Sequence, residues 1–158
     1  MALYIADAAA MERLGAAIGA RLAPGSRVFL YGALGAGKTT LVRGLLRARG
    51  HPGPVRSPTY TLVESYVLAG APVHHFDLYR LGAARELELI GARDYFDGES
   101  LCLVEWPEHG EALLGRADLE LRIAIDGQAR RVSWQAHPAA LARALAALAA
   151  EFPDPADP

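Results

Sequence analysis

Asparagine is absent from this sequence, and lysine occurs once, at Lys38, against fifteen arginines. Abundant Ala and Arg with scarce Lys and Asn is the mark of GC-rich coding, so a lysine kept against that bias draws attention to its position. Cysteine also occurs once, at Cys102, which excludes a disulfide framework, and no Cys/His cluster has zinc spacing. A reducing, cytoplasmic location is expected. Positive charge is in short supply, with 16 Lys and Arg against 18 Asp and Glu and a net charge of −2. Gripping nucleic acid needs clustered basic charge, so any dealing with RNA is expected to be indirect. Long hydrophobic runs are missing too. The first twenty residues lack a basic segment followed by a continuous apolar stretch, and the Ala-rich run 139–150 is short and broken by Arg143, so neither secretion nor a membrane span is expected.

What is present is the composition of one globular domain: 158 residues, 52% apolar and 22% charged. A chain of this length buries roughly 68–70% of its unfolded surface, enough to need neither disulfide nor structural metal. One domain is expected over residues 1–152, with the segment 153–158 (PDPADP) a disordered tail. Residues 3–5 suggest a short strand. Asp7 can cap a helix in which Met11, Leu14, Ile18 and Leu22 recur at helical spacing, ended by Pro24 and Gly25. Residues 27–31 (RVFLY) are an apolar strand, followed by a Gly-rich turn and a helix through Leu41, Leu45 and Leu46. A Pro- and Gly-rich loop over 50–58 leads to strands at 61–67 and 73–77, too close together for a parallel crossover and so antiparallel. One or two short helices fit 83–96. Residues 101–104 (LCLV) are a fully apolar strand ending in Glu105, with Pro107 placed to open a helix. A hairpin of 119–125 with 132–135 and a helix carrying Leu141, Leu145 and Leu148 complete the chain.

Gly32, Gly35, Gly37, Lys38 and Thr39 spell GxxxxGKT, the P-loop pattern, between an apolar strand and an amphipathic helix. The glycines let backbone N–H groups curl around phosphate oxygens, and the following helix offers its positive end. Lysine reaches the β and γ phosphates, and the threonine hydroxyl ligates Mg²⁺. A compact point charge suits that place better than a planar guanidinium, and the sole lysine stands there. The expected architecture is therefore α/β: a P-loop NTPase fold in three layers, with a mixed central β-sheet flanked by helices.

Magnesium also calls for a carboxylate at the end of a strand beside the P-loop strand, and two residues compete. Glu105 follows LCLV and is the metal-side candidate; Asp77 follows VHHF and is the candidate for orienting attacking water, with a helix cap or turn as its alternative. Ser57, Pro58 and Thr59 form a loop of the kind that changes order around a γ-phosphate, or one simply held by its proline and local hydroxyl bonds. His74 and His75 point to opposite faces of a strand, cannot chelate one metal together, and are expected to be ordinary half-buried histidines. Cys102 is expected in the core. Trp106 is either packing or a cover for the nucleotide site. Guanine recognition through an NKxD segment is impossible without asparagine, and the LSGGQ signature of ABC ATPases is absent. A small ATPase remains, with a small-molecule kinase carrying Arg80, Arg85 and Arg93 on a lid, or a non-hydrolysing nucleotide-gated module, as alternatives.

Five strings in order, GALGAGKTTLVRG, SPTYTLVESY, HFDLYRL, ELELIGARDYF and LCLVEWPE, resemble the TsaE (YjeE) family of bacterial P-loop ATPases from about Val28 to Glu108. The resemblance implies ATP and Mg²⁺ as cofactors and a role in making N6-threonylcarbamoyladenosine at position 37 of tRNAs that read codons starting with A. It implies TsaB and TsaD homologues as protein partners, with TsaD acting on the RNA. By that resemblance the nucleotide loop is Leu34, Gly35, Ala36, Gly37, Lys38 and Thr39 with Thr40 beside it, and the magnesium ligands are Thr39 and Glu105. Asp77 is the water-side acid, residues 57–61 with Thr59 are the switch-like loop, Trp106 lies beside the site, and Arg130 contacts the nucleotide. Lys38, Asp77 and Glu105 are the catalytic set. Ala33 stands where the family usually has Asp, a departure that bears on contacts to the switch loop or a partner.

Overall fold

The computed structural model describes residues 2–155. Its strands are β1 (Ala2–Ile5), β2 (Arg27–Gly32), β3 (Val63–Leu68), β4 (Ala71–Asp77), β5 (Leu101–Glu105), β6 (Leu119–Asp126) and β7 (Ala129–Ala136). They form one sheet in the order β1-β7-β6-β2-β5-β4-β3. The four central strands β6, β2, β5 and β4 run parallel, while β3, β7 and β1 pair antiparallel at the flanks. The mixed sheet expected from the short 61–77 connection is present. Its hairpin turn is tighter than the sequence suggested: Ala69 and Gly70 both take positive φ, so β4 already begins at Ala71, and β3 starts only at Val63 because Leu62 is left-handed (φ 66°).

Helices α1 (Ala8–Gly19), α2 (Lys38–Ala48), α6 (Ala139–Ala146) and α7 (Leu148–Glu151) pack on one face. The short helices α3 (Arg85–Leu89), α4 (Ala92–Tyr95) and α5 (Glu111–Leu114), with a 3-10 turn at Pro107–His109, lie on the other. Strand alternation divides the core between them. Val28, Leu30, Leu101 and Leu103 face α1 and α2, while Phe29, Cys102 and Val104 join Phe76 and Leu87 opposite. Of the segment 153–158, residues 156–158 lie outside the described residues; Asp154 accepts a hydrogen bond from Arg131.

Helix α1 starts where Asp7 accepts the Ala10 amide at 2.7 Å, the capping bond its sequence promised. It then packs on α2 with backbones almost touching. A methyl group at Gly15 would sit 2.0 Å from the Leu41 carbonyl oxygen, and one at Gly44 2.0 Å from that of Glu12. Neither clash can be relieved by rotating a side chain, so α2 is held at a depth that only glycine permits. Arg47 reinforces the pair by binding Glu12 at 2.9 Å.

Two outcomes follow from this packing. Gly15→Ala and Gly44→Ala should each lose roughly 1–3 kcal/mol in urea unfolding, whereas Gly53→Ala, which would meet only the His51 ring, should change little. The Cys102 thiol is buried and donates to the Tyr95 carbonyl, and burial pushes its pKa up to about 12. It should therefore stay unreactive toward Ellman's reagent at pH 8 and react fully once the chain is unfolded; fast labelling of the native protein would contradict this.

Candidate active site

Strand β2 passes into the Gly-rich loop at the carboxyl edge of the parallel strands. Gly35 (φ 78°) and Gly37 (φ 110°) take left-handed conformations, and Gly37 opens α2 without any side-chain cap. The first amides of a helix have no intrahelical acceptor, so the start of α2 presents unsatisfied donors and its positive dipole end to the cleft.

The acids come from neighbouring strands. On β4, Val73, His75 and Asp77 share the face toward α1 and α2, as do Leu101, Leu103 and Glu105 on β5; register sets Leu30 opposite Glu105 and Glu105 opposite Asp77. Thus β5, not β4, is the strand beside the P-loop strand, which separates the two carboxylates the sequence left in competition. Glu105 is only 2% exposed, and its Oε1 accepts from Thr39 Oγ1 at 2.8 Å and from His75 Nε2 at 2.8 Å. Asp77, 3% exposed, accepts the Tyr79 amide on Oδ1 at 2.9 Å, and on Oδ2 the hydroxyls of Ser57 and of Thr59, the latter at 3.0 Å. The 57–59 loop therefore closes on an acid of the site.

Lys38 donates to the carbonyls of Gly32 and Ala33, and its ammonium lies 4.2 Å from the centre of the Trp106 ring. Burial lowers its pKa from the ordinary lysine value, and the carboxylates of Glu105, Asp77 and Glu108 oppose that drop. Trp106 is left-handed (φ 56°), with its ring 5.0 Å from that of Tyr79 and 5.6 Å from that of His109. Leu34, Gly35, Ala36, Gly37, Lys38, Thr39, Thr40, Thr59, Asp77, Glu105 and Trp106 line one cleft, joined by Ser57 and Tyr79. Arg130 lies beside this cleft. With Asp7, Met11 and Gln128 it lines an adjoining depression whose other wall is the loop residues Gly35, Ala36, Gly37 and Thr40, and there Nε donates to the Ala36 carbonyl at 2.9 Å and Nη2 to that of Gly35 at 3.1 Å. It ties the loop through these two carbonyls.

Among the described residues, no arginine lines the cleft. Arg80 stacks on Tyr60 at 4.5 Å and Arg93 pairs with Glu88 at 3.1 Å, and neither lines the cleft. His75, expected to be half-buried, is 0% exposed and bonded to Glu105. Its signal was available in the strand alternation that separates it from His74, because the same alternation puts it on the face of Asp77. Tyr79 carried no such signal. Among the described residues no group of three or more His, Cys, Asp and Glu is arranged to hold a metal. Thr39 and Glu105 instead offer the few hard oxygen donors that suit Mg²⁺ when phosphates and water complete its shell.

A Gly-rich loop joining β2 to α2, with an acidic residue ending the adjacent parallel strand, defines the P-loop NTPase fold. The crystal structure of YdiB from Bacillus subtilis superposes with a TM-score of 0.78 over 96% of this chain and 95% of its own, at 25% identity. The family model for threonylcarbamoyl adenosine biosynthesis protein TsaE matches residues 5–132, and the chain belongs to that family. The tRNA threonylcarbamoyladenosine biosynthesis protein TsaE of Haemophilus influenzae is 54% identical over 105 residues, which span 66% of each chain, a little under two thirds of the relative's length. The protein of the same name from Bacillus subtilis is 38% identical over 108 residues, 68% of this chain and 67% of its own.

The contacts of Asp77 make the 57–59 loop dependent on it. Asp77→Ala should speed amide exchange over residues 56–62 while leaving β2 and β5 protected. Hydrogen exchange by mass spectrometry reads this, and unchanged loop protection would show that the loop holds without Asp77.

Proposed function

We propose that this chain is a Mg²⁺-dependent ATP-binding and ATP-hydrolysing component of the machinery that makes N6-threonylcarbamoyladenosine in tRNA, supporting turnover of a TsaB–TsaD pair. The observation that carries the reading is the Thr39–Glu105 hydrogen bond beneath the uncapped start of α2, with Asp77 on the next strand of the same cleft. Family membership supports the pathway, and the near-neutral charge supports protein partners rather than RNA held directly.

In this reading the loop amides 34–39 and the start of α2 cradle the phosphates, and Lys38 leaves the Gly32 and Ala33 carbonyls to meet the β and γ oxygens. Thr39 and Glu105 hold Mg²⁺, which when bound offsets charge on those oxygens. Asp77 orients the attacking water once Ser57 and Thr59 release it. Trp106 covers the phosphate end of the cleft, and Arg130 keeps the loop carbonyls turned away from the nucleotide. With no arginine in the cleft, charge on the leaving phosphates is incompletely met, and docking on partner proteins completes the site. The Leu34 side chain in the cleft lining, 68% exposed, and that of Tyr60 next to Thr59, 84% exposed, are apolar surface for such docking.

The isolated chain should hydrolyse ATP on the order of 10⁻⁴ s⁻¹, as P-loop proteins do without an arginine finger, and completion of the site should raise this by up to roughly 10³- to 10⁵-fold. Lys38→Ala should abolish both Mg-ATP binding and hydrolysis. Steady-state ATPase assays with and without both partners test this. Fast turnover indifferent to partners, or normal turnover by Lys38→Ala, would reject it.

A further inference from the structure

His75 is a buried side chain of the cleft region that the reading above does not use. It stands between Val73 and Asp77 on the inward face of β4, beside the apolar Leu103 of β5, and is wholly inaccessible. Packing alone gives no reason for an imidazole here. A leucine would fill such a position without polar atoms, whereas the ring leaves Nδ1 buried with no hydrogen-bond partner among the described residues, which costs stability. What the imidazole adds is its other nitrogen, donating 2.8 Å to Glu105 Oε1.

That bond does something Thr39 cannot do alone. Among the described residues, both hydrogen bonds to the Glu105 carboxylate end on Oε1, so the two donors fix its rotation and leave Oε2 as the oxygen to serve the cleft. They reach it from different elements. Thr39 belongs to α2, and its hydroxyl is also the second oxygen donor proposed for Mg²⁺. His75 belongs to the sheet and does not line the cleft. Its hold on Glu105 is therefore independent of the loop, the nucleotide and the metal. We infer that His75 is a positioning residue that presets the Glu105 carboxylate for Mg²⁺ with the nucleotide, keeping it oriented from the sheet while Thr39 turns to its own ligand.

This inference rests on the Mg-nucleotide reading, and the test separates the two. ATP binding to the full chain is measured by calorimetry at graded Mg²⁺ for wild type, His75→Leu and His75→Gln, alongside thermal unfolding without nucleotide. Removing an orienting partner of a metal-side carboxylate weakens metal affinity by about 10- to 100-fold, so His75→Leu should raise half-saturating Mg²⁺ at least tenfold and leave Mg²⁺-free ATP binding as in wild type. His75→Gln, whose amide N–H can reach Oε1, should recover most of the loss. If His75→Leu does not fold, His75→Asn replaces it, its amide one methylene too short. An unchanged Mg²⁺ requirement in the Leu or Asn variant, whatever its melting temperature, overturns the inference, as does a Gln variant no better than they are. Wild-type ATP binding indifferent to Mg²⁺ overturns the underlying reading, and the inference with it.

Discussion

Strand β5 lies between β2 and β4, parallel to both, in a register that aligns Leu30, Glu105 and Asp77 across three strands. The cleft depends on this alignment. Parallel strands deliver their carboxyl ends to one edge, where open α/β sheets bind ligands, and here the three ends carry a Gly-rich loop and two acids. Slipping β5 by one residue would turn Glu105 to the opposite face, into the cluster built on Phe76, Phe29 and Trp106, with neither Thr39 nor His75 in reach.

Six polar or charged residues are buried among those described, and four of them, Lys38, His75, Asp77 and Glu105, belong to this one region. Such groups are costly away from water unless they are bonded. Each bond that compensates one of them also orients it: Thr39 and His75 on Glu105, Ser57, Thr59 and the Tyr79 amide on Asp77, loop carbonyls on Lys38. The left-handed backbone of Trp106, a strain of about 1–3 kcal/mol for a non-glycine residue, belongs to the same economy of position. It lets the residue directly after a buried acid place its ring against the lysine.

The loop itself is fixed by parts of the chain remote from it. Helix α1 sets the depth of α2 through Gly15 and Gly44, and Arg130 of β7 ties the carbonyls of Gly35 and Ala36. Both ends of the sequence thus converge behind the phosphate cradle, although the most distinctive strings lie between Val28 and Glu108. In this structure Arg130 reaches those carbonyls from a depression that it lines together with the loop residues Gly35, Ala36, Gly37 and Thr40.

The sequence by itself determined the local elements and the chemistry of the loop. GxxxxGKT between an apolar strand and an amphipathic helix needs only neighbouring residues to be read, because hydrogen bonds, dipole and glycine conformations there are all local. The Asp7 cap, the 61–77 hairpin and the strand ending at Glu105 were legible for the same reason. Their exact ends were less so: the two-residue turn at Ala69 and Gly70 requires a left-handed alanine, which propensity does not announce. Which acid stands beside Thr39, that His75 is bonded rather than idle, and that Arg130 ties the loop carbonyls were decided only by tertiary structure. These depend on strand order and on contacts between residues as much as 95 positions apart, and no local pattern encodes which strand will lie beside which.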